Sequence, residues 1–170
     1  MDRSGEARIR FRGYSAGDLD QMVRLDQLCF SAPFRFDRRA MRQFSKAPGA
    51  IVIIAEDRLG DRGVSLMAGF IIVHLEGAGR EQYGYVITID VAPEFRRAGV
   101  GRQLLEQAEQ KVRAAGLARV GLHVAVDNAG AIRFYERQGY ACMGVAPCFY
   151  REAGVDALIY LKDLELFLAG

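Results

Sequence analysis

The sequence predicts an α/β chain: a mixed sheet with helices on both of its faces. Three observations carry that prediction. Short β-branched runs and stretches with apolar residues at helical spacing follow one another in the order β-α-α-β-β-β-α-β-α-β-β. One strand hands over to a helix through a basic, glycine-bearing turn, Arg96-Arg97-Ala98-Gly99-Val100-Gly101. The composition, 51% hydrophobic and 26% charged over 170 residues, is an ordinary globular balance and large enough for one domain, residues 1–170, with a core of its own.

Taken in order, residues 7–14 alternate Arg8, Arg10 and Arg12 with Ile9 and Phe11, the period of a half-buried strand. Ser15 or Asp18 caps the next helix, whose Leu19, Met22, Val23, Leu25 and Leu28 form an apolar stripe. Pro33 breaks that periodicity in an aromatic and basic loop, residues 29–36. Asp37 then caps a short helix over 38–44, ended by Pro48-Gly49. Residues 50–56 and 64–75 read as strands joined by a turn at 60–63, and a glycine-containing loop leads to a strand over 83–92. Leu104, Leu105, Ala108 and Val112 mark the central helix, which Gly116 stops. Residues 119–126 form another strand with Val120, Leu122, Val124 and Val126 on one face. Asp127-Asn128 opens the last helix, which turns Ala131, Ile132, Phe134 and Tyr135 inward and closes at Gly139. Residues 140–150 and 155–161 complete a terminal hairpin.

Several function classes are disfavoured by composition. A net charge of +2, without a long basic run or basic-aromatic interleaving, gives no reason to expect a nucleic-acid partner. The apolar runs are too short to span a bilayer, and the first residues lack the apolar core of a signal peptide, so a cytoplasmic protein is expected. Cys29, Cys142 and Cys148, odd in number and without C-x-x-C spacing, read as small buried hydrophobes, and no metal site is expected.

The chemistry concentrates at residues 89–105. Gly99 and Gly101 open a helix directly after a strand, which leaves backbone N–H groups and the positive end of the helix dipole facing outward. Such a turn is built for an anion such as a pyrophosphate, and Arg96, Arg97 and Arg102 add charge. Neither G-x-x-x-x-G-K-[ST] nor G-x-G-x-x-G is present. The pattern that is present, V-x-P-x-x-R-x-x-G-x-G from Val91, resembles the acyl-CoA signature of the GNAT superfamily of N-acetyltransferases. A second block agrees with it: Asn128, Ala131, Tyr135, Gly139 and Tyr140 are similar to that family's N-x-x-A-x-x-x-Y-x-x-x-G-[FY].

The resemblance implies a GNAT fold, a mostly antiparallel mixed sheet splayed between strands 4 and 5, with acetyl-CoA as cosubstrate in the split. It implies that Ile89 and Val91 pair with the pantetheine arm and that the Val91 N–H polarises the thioester carbonyl. Arg96, Arg97, Ala98, Gly99, Val100, Gly101 and Arg102 would cradle the pyrophosphate. Asn128 would contact the cofactor, although a helix cap is its plainer role. Tyr135 would protonate the departing thiolate, although it also suits a core aromatic. A thiol pKa of about 8.5 makes that help modest.

An amine must lose a proton before it attacks. Tyr85 and His123, on adjacent strands, resemble the base pair of certain protein N-terminal acetyltransferases, whereas related bacterial enzymes place Glu at the position of His123. An α-amine, at about 7.7–8.0, needs weaker help than a lysine at about 10.4. A histidine satisfied within the sheet is the alternative for His123, and His74, without such a context, reads as structural. The loop from Cys29 through Phe30 to Phe34 resembles the family's peptide-pocket loop. Phe149, Tyr150 and Asp156 resemble its C-terminal hairpin, in which Tyr150 would bind peptide backbone and Phe149 cannot. Arg35, Arg38 and Arg39 argue against polycationic substrates. The implied function is acetyl transfer to a primary amine, preferentially the N-terminal α-amine of a protein or peptide, by a monomer or weak homodimer. A small-molecule amine acetyltransferase and a non-catalytic acyl-CoA-binding module are the alternatives. Asp90, in mid-strand, has no role in this reading.

Overall fold

The computed structural model describes residues 8–58 and 65–165, so the turn expected at 60–63 lies outside the described residues. The elements are β1 (Ile9–Gly13), α1 (Leu19–Cys29), α2 (Arg38–Lys46), β2 (Ile51–Asp57), β3 (Leu66–Glu76), β4 (Tyr83–Val91), α3 (Val100–Ala114), β5 (Arg119–Ala125), α4 (Ala129–Arg137), β6 (Ala141–Tyr150) and β7 (Val155–Asp163). The strands form one sheet in the order β1-β2-β3-β4-β5-β7-β6. Every pairing is antiparallel except β4 with β5. No described helix is long and apolar enough to cross a membrane.

Period-two alternation explains why the sheet is covered on both faces. In β2 and β3, Ile53, Ile71 and Val73 join Leu104, Leu105 and Val112 of α3 in one core, while Ile54, Phe70 and Ile72 join Leu19, Met22 and Leu25 of α1 and Met41 of α2 in the other. Arg12 fixes the entry to α1. Its guanidinium donates to both Asp18 carboxylate oxygens at 2.8 Å and to Glu56 at 2.8 Å, tying β1 to β2 and to the turn before the helix. Asp18 in turn accepts from the Ser15 amide, so the two capping candidates act together. Asp37 caps α2 as expected, accepting from the Ala40 amide at 2.7 Å.

The sheet divides into two wings, β1 to β4 and β5-β7-β6, which share the pairs Gly84 with Val120 and Tyr85 with Gly121. At that junction α3 lies close, since a Cβ on Gly84 would come within 2.6 Å of Val112. Glu109 of α3 also reaches the second wing. It is 3% exposed and accepts from Lys162 Nζ of β7 at 3.0 Å on both oxygens and from the Tyr140 hydroxyl at 3.0 Å.

Four placements differ from expectation. Cys142 and Cys148 are exposed rather than buried, and both lie on β6, the outer strand of the sheet. Val126 lies beyond the end of β5 and is exposed, and Leu28 in the last turn of α1 points outward.

Candidate active site

The fork between β4 and β5 creates the site. Beyond Tyr85 and Gly121 the two strands stop pairing, while β3 and β7 continue to hold their outer edges. The Ala92 amide donates to Ala68 O at 2.8 Å, across the β3–β4 ladder. Backbone groups on an antiparallel strand alternate in direction, so the N–H and C=O of Val91, and by the same parity those of Ile89, turn away from β3 into the fork. The Val91 carbonyl is already engaged: Arg96 Nε donates to it at 3.1 Å and the Cys29 thiol at 3.5 Å.

Past β4, Pro93 starts a single 3-10 turn, and the chain enters α3 through two left-handed residues, Arg97 with φ 69° and Gly99 with φ 79°. Alternating handedness curls successive N–H groups into a concave nest, and the first amides of α3 have no partner within the helix. Gly101 sits where a Cβ would meet the Phe134 ring and Val91 Cγ2 at 3.5 Å, so the helix start packs against both α4 and β4. The arginines divide their work: Arg96 binds Val91 O and Arg102 pairs with Glu106 on the helix surface at 3.4 Å. Arg97 makes no hydrogen bond or ion pair among the described residues.

Across the fork, the Tyr85 hydroxyl and His123 Nδ1 lie 2.8 Å apart. Burial raises the Tyr85 phenol, helped by Tyr150, Tyr83 and Glu76, which holds it protonated. Burial lowers the His123 imidazole, which holds it neutral. Tyr150 donates to His123 O at 3.3 Å, and the Phe149 ring stacks flat on the imidazole, 4.0 Å between centroids and 4° between planes. Below them an open cavity of about 530 Å³ is floored by Tyr83, Tyr85, Gly121, His123, Ile159 and Leu161, with Arg80, Glu81 and Arg119 at its rim. Tyr135 is buried, its ring edge-on to Phe134 and Tyr140, and its phenol is raised by burial and then by Tyr150, Asp90 and Tyr85. Asn128 caps α4, its Oδ1 accepting from the Ala131 amide at 3.2 Å. His74 is structural, with Nε2 2.8 Å from Phe44 O.

Within the loop that follows α1, Phe34 meets Tyr150, edge to face at 5.1 Å. Phe30 ends α1, its carbonyl accepting from Arg35 Nε at 2.7 Å. Arg35 is therefore a clasp for the loop, since it also binds Gln27 O, and Arg38 pairs with Asp20. Asp26 holds the loop's other end by accepting from the Phe36 amide at 2.9 Å. Asp90 acquires a setting too. It is fully buried, takes a 2.6 Å bond from Thr88 Oγ1 on one oxygen, and leaves the other without a partner, as Asp26 does. Burial raises both carboxyls, and Asp26 adds to the rise at Asp90. Motif spacing revealed the turn, and the family resemblance pointed to Tyr85 and His123; Phe34, Asp26 and the stacking of Phe149 are long-range contacts with no local signal.

Residues 19–140 match the model of the acetyltransferase (GNAT) family. The chain belongs to that family. GNAT relatives include N-alpha-acetyltransferase 60 of Xenopus tropicalis, 33% identical over 93 residues, which are 52% of this chain and 38% of that protein. The N-terminal acetyltransferase B complex catalytic subunit naa20 of Schizosaccharomyces pombe is 33% identical over 92 residues, 54% of this chain and 49% of that one. The matches thus span half or less of those relatives. In fold, NAA60 of Arabidopsis thaliana in complex with a bisubstrate analogue superposes with a TM-score of 0.81 at 21% identity, covering 93% of this chain and 99% of that one. The same plant protein has been crystallised with acetyl-CoA, TM-score 0.78 at 22% identity over 91% of this chain and 98% of that one. The GNAT fold expected from the motifs is therefore present, fork included.

Proposed function

We propose that this chain is an acetyl-CoA-dependent N-acetyltransferase acting on a primary amine, with the N-terminal α-amine of a protein or peptide as its preferred acceptor. The observation that carries the reading is the fork itself: β4 presents the Val91 N–H into a gap at whose base Tyr85 and His123 touch. The residues present fit acetyl-CoA. The nest from Arg97 to Arg102 would hold its pyrophosphate, and the inward-facing backbone of Ile89 and Val91 would pair with its pantetheine arm. Asn128 would contact it at the start of α4. When bound it supplies an activated acetyl group as a thioester.

The chain's own groups do the rest. The Val91 N–H sits where negative charge builds on the acyl oxygen as the amine adds, and it needs no reorganisation to receive it. A protonated Tyr85 donates to Nδ1 and leaves its oxygen lone pairs for the incoming ammonium. The amine's proton passes to that oxygen as the phenol's own proton moves to Nδ1, so no phenolate is needed. That route accords with a raised phenol and a neutral imidazole. Tyr135, kept protonated by burial, is the proton donor for the departing thiolate. Phe34 and Tyr150 wall the acceptor side, Phe30 shapes the loop behind them, and holding amine and thioester in one cleft does much of the work.

The kinship with two N-terminal acetyltransferases favours an α-amine, and a cytoplasmic location suits such substrates. The Phe34–Tyr150 contact, which bridges the two sides of the acceptor cleft, favours the second reading, a small-molecule amine. Thiol release measured with free N-terminal peptides, an N-terminally blocked lysine peptide and small amines separates them. Peptide preference supports the proposal; turnover of small amines alone replaces it with the second reading. Acetyl-CoA binding without turnover on any acceptor overturns both.

A further inference from the structure

We propose that Phe149 is a positioning residue whose ring, turned inward by a bulge at Cys148, clamps the His123 imidazole in the orientation that meets Tyr85. This rests on the reading of His123 as the proton acceptor. Three observations converge on it. The two rings are parallel within 4° and stacked at 4.0 Å between centroids, closer and flatter than any other aromatic contact in the cleft. Phe149 remains 42% exposed, so burial of its own surface does not explain why it lies inward. The backbone that places it is held against its preference. Cys148 takes φ 50°, a left-handed conformation costly to a residue with a side chain, at a register break between Ala146 and Tyr150. The Cys148 amide is fixed there by Asp156 Oδ1 of β7 at 2.7 Å.

The chain from Asp156 to Cys148 to Phe149 thus ends on one face of the imidazole. A stacked ring leaves the in-plane nitrogens free while removing water from the face it covers. It also restricts rotation about the bond to the ring, and so fixes where Nδ1 points. The other groups around His123 do not duplicate this. Tyr85 and Tyr83 from β4 and Tyr150 from β6 are phenols, Ile159 and Leu161 from β7 are apolar, and the charged Arg80, Glu81 and Arg119 stand at the cavity rim. Covering the imidazole opposes its protonated form, in keeping with the direction in which burial moves it.

The chain has two histidines, and because His74, packed on Phe44, lies directly across the β3–β4 ladder from Tyr85, the fold of each variant is checked by its melting temperature. NMR titration of histidine-labelled protein reads both. In Phe149→Ala the His123 midpoint is expected to rise toward the ordinary imidazole value, and Phe149→Tyr retains the low midpoint. Asp156→Ala, which keeps the phenyl group but frees the bulge that aims it, moves the midpoint in the same direction by less. In the pH profile of kcat/KM, Phe149→Ala lowers the rate at pH 5.5 by about threefold more than at pH 8. An unmoved His123 midpoint in Phe149→Ala, with the protein folded as judged by its melting temperature, overturns the proposal. A midpoint that moves while the acid limb of the profile does not would keep the clamp and overturn His123 as the proton acceptor.

Discussion

Glu109→Leu removes the carboxylate that joins α3 to the second wing of the sheet. Leucine is close in volume, so the cost is electrostatic and polar rather than a cavity. Two effects combine. Lys162 loses its partner, and removing one member of a buried pair costs about 3–5 kcal/mol. Because Lys162 is 24% exposed and its ammonium can swing toward water, the lower end applies. The Tyr140 hydroxyl also loses its acceptor at a buried position, for about 1–3 kcal/mol when counted alone. The three groups form one network, so the losses do not add, and about 3–4 kcal/mol is expected. In urea, with a slope of about 2 kcal/mol/M, the midpoint should fall by about 1.5–2 M at unchanged slope. The double variant Glu109→Leu with Lys162→Leu, which leaves no unpaired charge, should recover more than half of the loss. A single-variant loss under about 1 kcal/mol, or a double variant no better than the single, would refute the view that this pair braces the fork.

Three further outcomes are expected. Gly99→Glu places a side chain and a negative charge on a left-handed residue of the nest, and acetyl-CoA affinity by calorimetry should drop at least about tenfold; retained affinity would move the anion site elsewhere. Since burial depresses His123 below its ordinary 6.5, the wild-type rate should stay flat through neutrality and fall only on the acid side of that value. Stability carries the same sign: the unfolded chain binds the extra proton, so this contribution is complete above about 6.5 and is lost as pH falls toward the folded value. His123→Ala should remove the acid limb and lower turnover at pH 7. Asp90→Asn removes a carboxyl that burial keeps protonated in the fold but that ionises in the unfolded chain, and should therefore stabilise the fold at pH 7. A carboxyl raised by burial contributes fully at low pH and loses that contribution as pH rises above its unfolded value. The advantage of Asp90→Asn should therefore shrink when melting is repeated near pH 4, and a pH-independent difference would count against a raised Asp90.

Element order was legible because period and punctuation are local properties. The β4 run, its basic turn and the α3 stripe each announced themselves within a few residues, as did the Asp37 and Asn128 caps. The Tyr85–His123 pair was reachable only through the resemblance to N-terminal acetyltransferases, which implied both the neighbouring strands and the two side chains. Illegible features depend on what covers a strand. Cys142 and Cys148 read as buried until β6 proves to be outermost, and Leu28 continues its helix's stripe past the point where anything lies beneath it. Phe149 read only as a side chain unable to bind peptide backbone, because nothing near it in sequence reports the left-handed turn at Cys148 or the imidazole 26 residues earlier. Asp90 was opaque for the same reason: Thr88 lies two residues away, but Asp26 is on another element.

The fork also bears on how the chain avoids sticking to itself. An unpaired strand edge is normally a template on which another sheet can grow, and β6, the outer strand, is roughened by register breaks at Cys142/Gly144 and Ala146/Tyr150. The edges of β4 and β5 inside the fork also turn backbone groups inward, of which the Val91 carbonyl is already held by Arg96 and Cys29, yet β3 and β7 back them from outside. A second sheet arriving there would collide with the opposite wing, whereas a single extended molecule can slide between. The geometry thus admits one slender guest to hydrogen-bonding capacity that it withholds from other protein chains.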